Sequence, residues 1–329
     1  MVKKVSLKDI AQKIGVSTAL VSYVLSGNEE KGRVGKATAE KIRQAAKELN
    51  YQPNHIAKSL KTGKTNTVGL IVADISNPFF ASIARGVEDE TSHYGLTTII
   101  GSSDESTEKL KNLVDVFIKR QVDGFIISPP DNSEETIEYI ISLGIPICLI
   151  DRHFDHVDSS YVVTDNKSSM TKAVSHLLDL GYKNLAFVAY NSSLQHMKDR
   201  EQGFLDASSK VNSKVYKINF SKQQLELNGA LDEILNSQKA DAIVFATNTL
   251  SVDGLKYLTQ KGIQIPKDLN VMCFDFSEVY DFFYHPIIHV KQPIEQLAKE
   301  SVIALTQQIK DNTIHKKVLN SELMAKSRE

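Results

Sequence analysis

Tryptophan is absent from the 329 residues, and cysteine occurs only twice. Cys148 and Cys273 each sit inside an apolar run (Ile147-Cys148-Leu149 and Met272-Cys273-Phe274), which is where core thiols sit, not a disulfide or a metal site. No uninterrupted apolar run reaches the roughly 18 residues that a membrane-spanning helix needs, so no membrane partner is expected. Residues 1–8 hold no apolar segment ahead of a small-residue cleavage site, so no secretory signal is read and a cytoplasmic location is expected. A Gly-rich phosphate loop, a Gly-x-Ser-x-Gly elbow and His/Cys metal spacing are all missing, and the 9 histidines are scattered. Catalysis, a cofactor and a metal are therefore not expected.

Hydrophobic residues make up 41% and charged residues 24%, ordinary globular usage with length for two or three domains. The formal net charge of -1 conceals an asymmetry. Residues 1–64 carry 13 Lys+Arg against 5 Asp+Glu, whereas the remainder carries 26 against 35. A basic segment on an acidic body points to a polyanion partner for the first part alone.

That basic segment has helical periodicity. Ser6 followed by Asp9 is a helix-start pattern, and Leu7, Ile10, Ala11 and Ile14 then form one apolar face, which Gly15 breaks. A second helix follows Ser17, with Val21, Val24 and Leu25 inward, and a third over 36–49 has Ala39, Ile42, Ala46 and Leu49 inward. Two short helices joined by a Gly turn and closed by a third make a helix-turn-helix unit. The outward residues of the second helix, Thr18, Ala19, Ser22 and Tyr23, are small or hydroxyl-bearing and uncharged. A solvated face would carry Lys or Glu, while a face entering a major groove needs small groups and hydrogen-bonding tips. Ser17 can offer its hydroxyl and a backbone N–H to a phosphate. Arg33, in the stretch 28–36, is either a further DNA contact or a solvated loop charge. The residues alone also admit a helical hairpin that packs on another protein. Asn54 can cap a short helix ending near Lys61, too short to be stable alone and expected to order on contact with DNA or a partner.

From Thr67 onward, short apolar strands alternate with helices. Residues 68–72, 96–100, 124–128 and 145–150 form one series of strands, and 161–163, 185–189, 215–218, 242–246 and 271–274 a second. The alternation implies α/β architecture with two parallel sheets, helices on both faces and two lobes. Ligands bind such sheets outside the carboxyl ends of the strands. The residues there include Asp74, Asn77, Phe79, Phe80, Asp151, Arg152, Asp165, Asn166, Asn248 and Asp275, and Arg200 lies in a helix. Carboxylates, amides and a guanidinium among aromatic faces suit a polyhydroxylated ligand.

The segments LKDIAQKIGVSTALVSYVLSG and ELNYQPNHIAKSLKTGKT, with the region after them, resemble the LacI (lactose repressor) family over essentially the whole chain. The resemblance implies an all-α helix-turn-helix DNA-binding domain (1–53) and a hinge helix or linker (54–64). A two-lobed, periplasmic-binding-protein-like effector domain follows (65–329), with lobes of about 65–164 plus 293–324 and 165–292 plus 325–329. It also implies a homodimer on a pseudopalindromic operator, hinge helices in the minor groove with Leu60 as a wedge beside Ala57, and allosteric control by a small-molecule effector. Matching by motif, the effector-binding positions fall on Phe79, Phe80, Asp151, Asp165, Arg200, Asn248 and Asp275; Arg200 keeps its Arg-x-x-Gly-Phe context. The chain has Tyr23 where the family often has Arg, a longer 28–36 stretch, Thr249 where Asp often follows Asn248, and Phe276 where a second Asp often follows Asp275. Phe276, Tyr280, Phe282 and Phe283 either line the ligand or seal the lobe. A sugar effector is expected, with a phosphosugar or a purine left open. Residues 315–329 lack heptads, so no tetramerisation zipper is expected.

Overall fold

The computed structural model describes residues 5–52 and 63–325. The chain divides into two compact units, residues 1–65 and 66–329.

In the first unit, α1 (Leu7–Ile14) opens with a reciprocal cap: Asp9 N–H donates to Ser6 Oγ (3.3 Å) and Ser6 N–H donates to Asp9 Oδ2 (2.8 Å). Gly15 ends it at φ 72°, where a side chain would be strained. Ser17 caps α2 (Thr18–Leu25) by accepting from Leu20 N–H at 3.2 Å, and α3 (Lys36–Glu48) closes the unit. Ile10, Val21, Val24, Ala39 and Ile42 are buried, with Leu7, Ile14, Leu25 and Leu49 packed around them. Each fully buried aliphatic chain contributes about 2 kcal/mol of transfer free energy, so this small core depends on a few residues.

The second unit is built from two sheets. The first holds β1 (Thr67–Val72), β2 (Thr97–Ser102), β3 (Gly124–Ile127), β4 (Ile147–Ile150) and β5 (Ser160–Thr164). With them are the helices α4 (Pro78–His93), α5 (Thr107–Lys119) and α6 (Glu134–Ser142). The chain then crosses to α7 (Asn166–Asp179), β6 (Asn184–Tyr190), α8 (Gln195–Ser208), β7 (Asn212–Ile218), α9 (Gln223–Glu233), β8 (Ala242–Phe245), α10 (Asn248–Gln260), β9 (Asn270–Phe274) and β10 (Ile288–Lys291). It returns through α11 (Ile294–Asp311) and β11 (Lys316–Leu319) to the first sheet, and ends with β12 (Glu322–Met324) on the second.

The strand orders are β2-β1-β3-β4-β5-β11 and β7-β6-β8-β9-β10-β12, so the two lobes repeat one strand order, with the same parallel direction in the first five strands of each. In each, the order reverses between the first and third strands, the switch point where a crevice opens at the carboxyl ends. β3 and β4 are buried along their whole length, as expected for parallel strands covered on both faces.

Three expectations change. The strand over 161–163, grouped with the second series on periodicity, belongs to the first sheet, inside the first-lobe bounds of 65–164: β5 pairs in parallel with β4 and β11, and the crossover follows it. Residues 322–324 belong to the second sheet, not the first lobe, because β12 pairs with β10. That pairing is antiparallel, since the chain passes from one sheet to the other across two residues and has no crossover helix, so the second sheet has one antiparallel edge.

Candidate functional site

On α2, Thr18, Ala19 and Tyr23 are exposed and Ser22 is half-buried, so the uncharged face inferred from sequence is presented to solvent. The Ser17 hydroxyl caps the helix and retains its proton for a further acceptor. The stretch 28–36 lies beside this face: a Cβ on Gly32 would stand 2.7 Å from the Tyr23 ring, so only glycine lets the ring pack there. Arg33, at φ 49°, is exposed on the same stretch, while Arg43 is held by Glu29. Asn54, Ala57 and Leu60 lie outside the described residues.

In the second unit, a cavity of about 240 Å³ lies between the carboxyl ends of the two sheets. Phe79, Phe80, Asp151, Arg200, Asn248 and Asp275 line it, together with Arg152 and Asn77. The topology explains the convergence. Asp151 follows β4 and Asp275 follows β9, the same position in each repeat. Both adopt the left-handed conformation, with φ 68° and 75°, which turns their side chains out of the strand ends at a backbone cost.

Electrostatics make this a poor place for bare charge. Burial pushes the Asp151 carboxyl up to about 6, with Arg152 and Arg200 opposing. Burial likewise raises Asp275 and lowers Arg200, and their mutual attraction at 3.9 Å only partly opposes this. The guanidinium of Arg200 is held at two nitrogens and one face: Nε donates to Asn166 Oδ1 and NH1 to the Ala246 carbonyl, each at 2.8 Å, and the group stacks 3.7 Å above the Phe274 ring. Asn166, itself donating to the Thr164 carbonyl at 3.0 Å, is thus the residue that orients Arg200. Burial and the nearby Arg152 and Arg200 hold His196 well below its ordinary value, so it is a neutral imidazole at pH 7.

Asp165 is not brought to the cavity. Its Oδ1 accepts from Ser169 Oγ (2.6 Å) and from Ser321 N–H (2.9 Å), which fastens the crossover instead. A residue that ends β5 and starts α7 is occupied at the joint between lobes. Nor does the aromatic stretch line the cavity, apart from the edge supplied by Asp275 before it. Tyr280 is buried and bonded to Ser251 at 2.6 Å, Phe283 packs on the second-lobe core, and Phe282 is 86% exposed.

Several contributors were not singled out from the sequence. Gln292, after β10, donates to Asp275 and accepts from Thr164 Oγ1 at 2.7 Å, tying the two crossing strands to the cavity. Glu105 follows β2 and grips Arg152 with both oxygens at 2.7 Å. Asp131, beyond β3, accepts from Ser193 N–H (2.9 Å) and Oγ (2.7 Å) across the cleft. On the other side, Asn248 donates to Asn77 at 2.8 Å. These two links join the loop after the first strand of one lobe to the loop after the third strand of the other, and so repeat the internal symmetry. The rule that singled out Asp151 would have found Glu105, Asp131 and Gln292, all at strand ends.

The architecture is that of a ligand-binding α/β unit of the periplasmic-binding-protein type preceded by a helix-turn-helix module. Residues 65–327 match the family described as periplasmic binding proteins and sugar binding domain of the LacI family, and residues 6–54 match the bacterial regulatory proteins of the lacI family. The chain belongs to the LacI family and is a DNA-binding transcription regulator. It is 31% identical to the ribose operon repressor of Halalkalibacterium halodurans over 92% of this chain and 90% of that one. It is 25% identical to the HTH-type transcriptional repressor PurR of Aliivibrio fischeri, over 96% and 95%. The lac repressor dimer bound to operator and the anti-inducer ONPF shares the fold with a TM-score of 0.86, 20% identity and 99% coverage of both chains.

Proposed function

We propose that this regulator binds a pseudopalindromic operator as a homodimer and that a small polyhydroxylated effector, a sugar, occupies the interlobe cavity and sets operator affinity. One observation carries the reading. Asp151 presents a buried carboxylate at the cavity with only a 3.5 Å contact to Arg152 Nε, opposite Asp275 from the other lobe, so paired acceptors await a ligand's hydroxyl donors. Phe79 and Phe80, edge-to-face at 5.1 Å, offer apolar surface for sugar C–H groups. A name that includes ribose among the relatives supports the sugar class.

On the DNA side, Ser17, Thr18, Ala19, Ser22 and Tyr23 read the major groove, with Arg33 beside them. Residues 54–64, with Asn54, Ala57 and Leu60, link this reading head to the lobes. Effector in the cleft changes the lobe angle and through it the geometry of the paired linkers.

Melting-temperature shifts of the full-length protein across a panel of sugars, phosphosugars and purines test this. A sugar should raise the melting temperature, and Arg200→Ala should abolish that response while specific DNA binding persists. A purine alone giving the shift would replace the sugar, and a fully responsive Arg200→Ala would remove Arg200 from the site.

A further inference from the structure

One end of the cavity is organised around an ion pair between two of its own lining residues, Glu105 and Arg152. Arg152 is nine-tenths buried, and both its terminal nitrogens are taken up by the two oxygens of Glu105 at 2.7 Å. The arrangement is bidentate, the most directional that a guanidinium makes. Burial works against the Arg152 charge, but Glu105, Asp151 and Asp131 outweigh it and hold its pKa above the ordinary value. Glu105 reaches this position from an uncommon turn: Asp104 and Glu105 are both left-handed, at φ 51° and 55°. Its backbone N–H is fastened to the Ala73 carbonyl at 3.0 Å. Asp104 is meanwhile drawn outward by Lys109, so Glu105 is the acid that faces the cleft.

The wider lining has the same character. Five carboxylates (Asp74, Glu105, Asp131, Asp151 and Asp275) stand against the guanidiniums of Arg152 and Arg200. Arg200 already donates to Asn166 and Ala246 and faces Asp275. At this end of the cavity both terminal nitrogens of Arg152 are committed to Glu105, so a phosphate dianion would meet an excess of negative charge in a desolvated space.

We propose that Glu105 is a specificity-determining residue: by engaging Arg152 in a bidentate pair, it makes the cavity take the uncharged form of its polyhydroxylated ligand and exclude the phosphorylated form. This rests on the assignment of the cavity as the effector site. Removing the carboxylate charge at residue 105 releases Arg152 and turns that end of the cavity into an anion receptor.

The test is isothermal titration calorimetry of the full-length protein with matched pairs: D-ribose and D-ribose 5-phosphate, D-fructose and D-fructose 1-phosphate, D-glucose and D-glucose 6-phosphate. In the wild type, one free sugar should bind at least about tenfold more tightly than its phosphate. In Glu105→Gln the ratio should move about tenfold or more toward the phosphate, with a salt dependence that the wild type lacks. Glu105→Asp, which keeps the charge, should retain the exclusion. A wild type that prefers a phosphorylated member overturns the inference but leaves the cavity as the effector site. So does a folded Glu105→Gln with an unchanged ratio. Binding of no member of the panel overturns the sugar assignment as well. Because the wild-type ratio is decisive by itself, a Glu105→Gln protein that failed to fold would not shelter the inference.

Discussion

Asp151→Asn should make the protein more stable at pH 7 and at the same time weaken its grip on the effector. The substitution keeps the shape of the side chain while turning one acceptor oxygen into a donor, and asparagine tolerates the left-handed φ of 68° found there. What changes is the charge. Burial moves the carboxyl from 3.8 to about 6, so the folded chain holds a proton that the unfolded chain has already released. Between those two values the native state binds more protons, and stability therefore falls as pH rises through the window of 4 to 6. About two pKa units at 1.4 kcal/mol each correspond to about 3 kcal/mol of destabilisation at pH 7, present above the window and absent below it. Asparagine removes it. Urea or thermal unfolding of wild type and variant at pH 4 and pH 7 reads the effect. The variant should gain about 3 kcal/mol at pH 7, worth several degrees in melting temperature, and little at pH 4. The same protein titrated with the effector should show a loss of at least about tenfold in affinity, because the charged acceptor has become a neutral amide. A variant less stable than wild type at pH 7, or a gain equal at both pH values, would refute the reasoning that burial of this charge is tolerated for binding.

Ser193→Ala tests the cleft link without touching the cavity lining. It removes a charge-assisted hydrogen bond of 2.7 Å to Asp131, worth about 1 kcal/mol at this exposed place, and should weaken effector binding roughly fivefold, read by calorimetry; unchanged affinity would mean that the link does not hold the lobes closed. Two glycines should behave in opposite ways in thermal melts. A Cβ on Gly203 would stand 2.5 Å from the Lys167 carbonyl where α7 and α8 touch, so Gly203→Ala should cost about 1–3 kcal/mol. Gly229 in α9 has nothing within 4 Å of such a Cβ, so Gly229→Ala should gain about 0.5–1 kcal/mol.

The fold was legible because each element follows a local period. The apolar positions Leu7, Ile10, Ala11 and Ile14 repeat at helical spacing, and short apolar runs such as Gly124–Ile127 are parallel strands buried on both faces. Asp151, Asn248 and Asp275 were legible because a polar residue after such a strand lies at the mouth of the sheet. Periodicity does not encode which sheet a strand joins. Hence periodicity grouped β5 with the second series, and the lobe bounds put β12 in the first lobe: the partners of both strands are fixed by where the chain crosses between lobes. Asp165 obeys the strand-end rule yet is taken by Ser169 and Ser321 at the crossing, so the rule does not separate a hinge from a cavity. Pairings such as Glu105–Arg152 and Asp131–Ser193 join residues distant in sequence and depend on how loops and lobes close, which no local spacing records.

The most direct test of the central claim is operator affinity measured with and without effector. DNA recovered by selection from a random pool, labelled and titrated with the full-length protein by fluorescence anisotropy, supplies the dissociation constant; the sugar found in the melting panel is then added to saturation. Effector control through the cavity requires that constant to change by about 10- to 100-fold, in a manner lost in Arg200→Ala. An identical constant at saturating sugar, with the cavity demonstrably occupied, would contradict it.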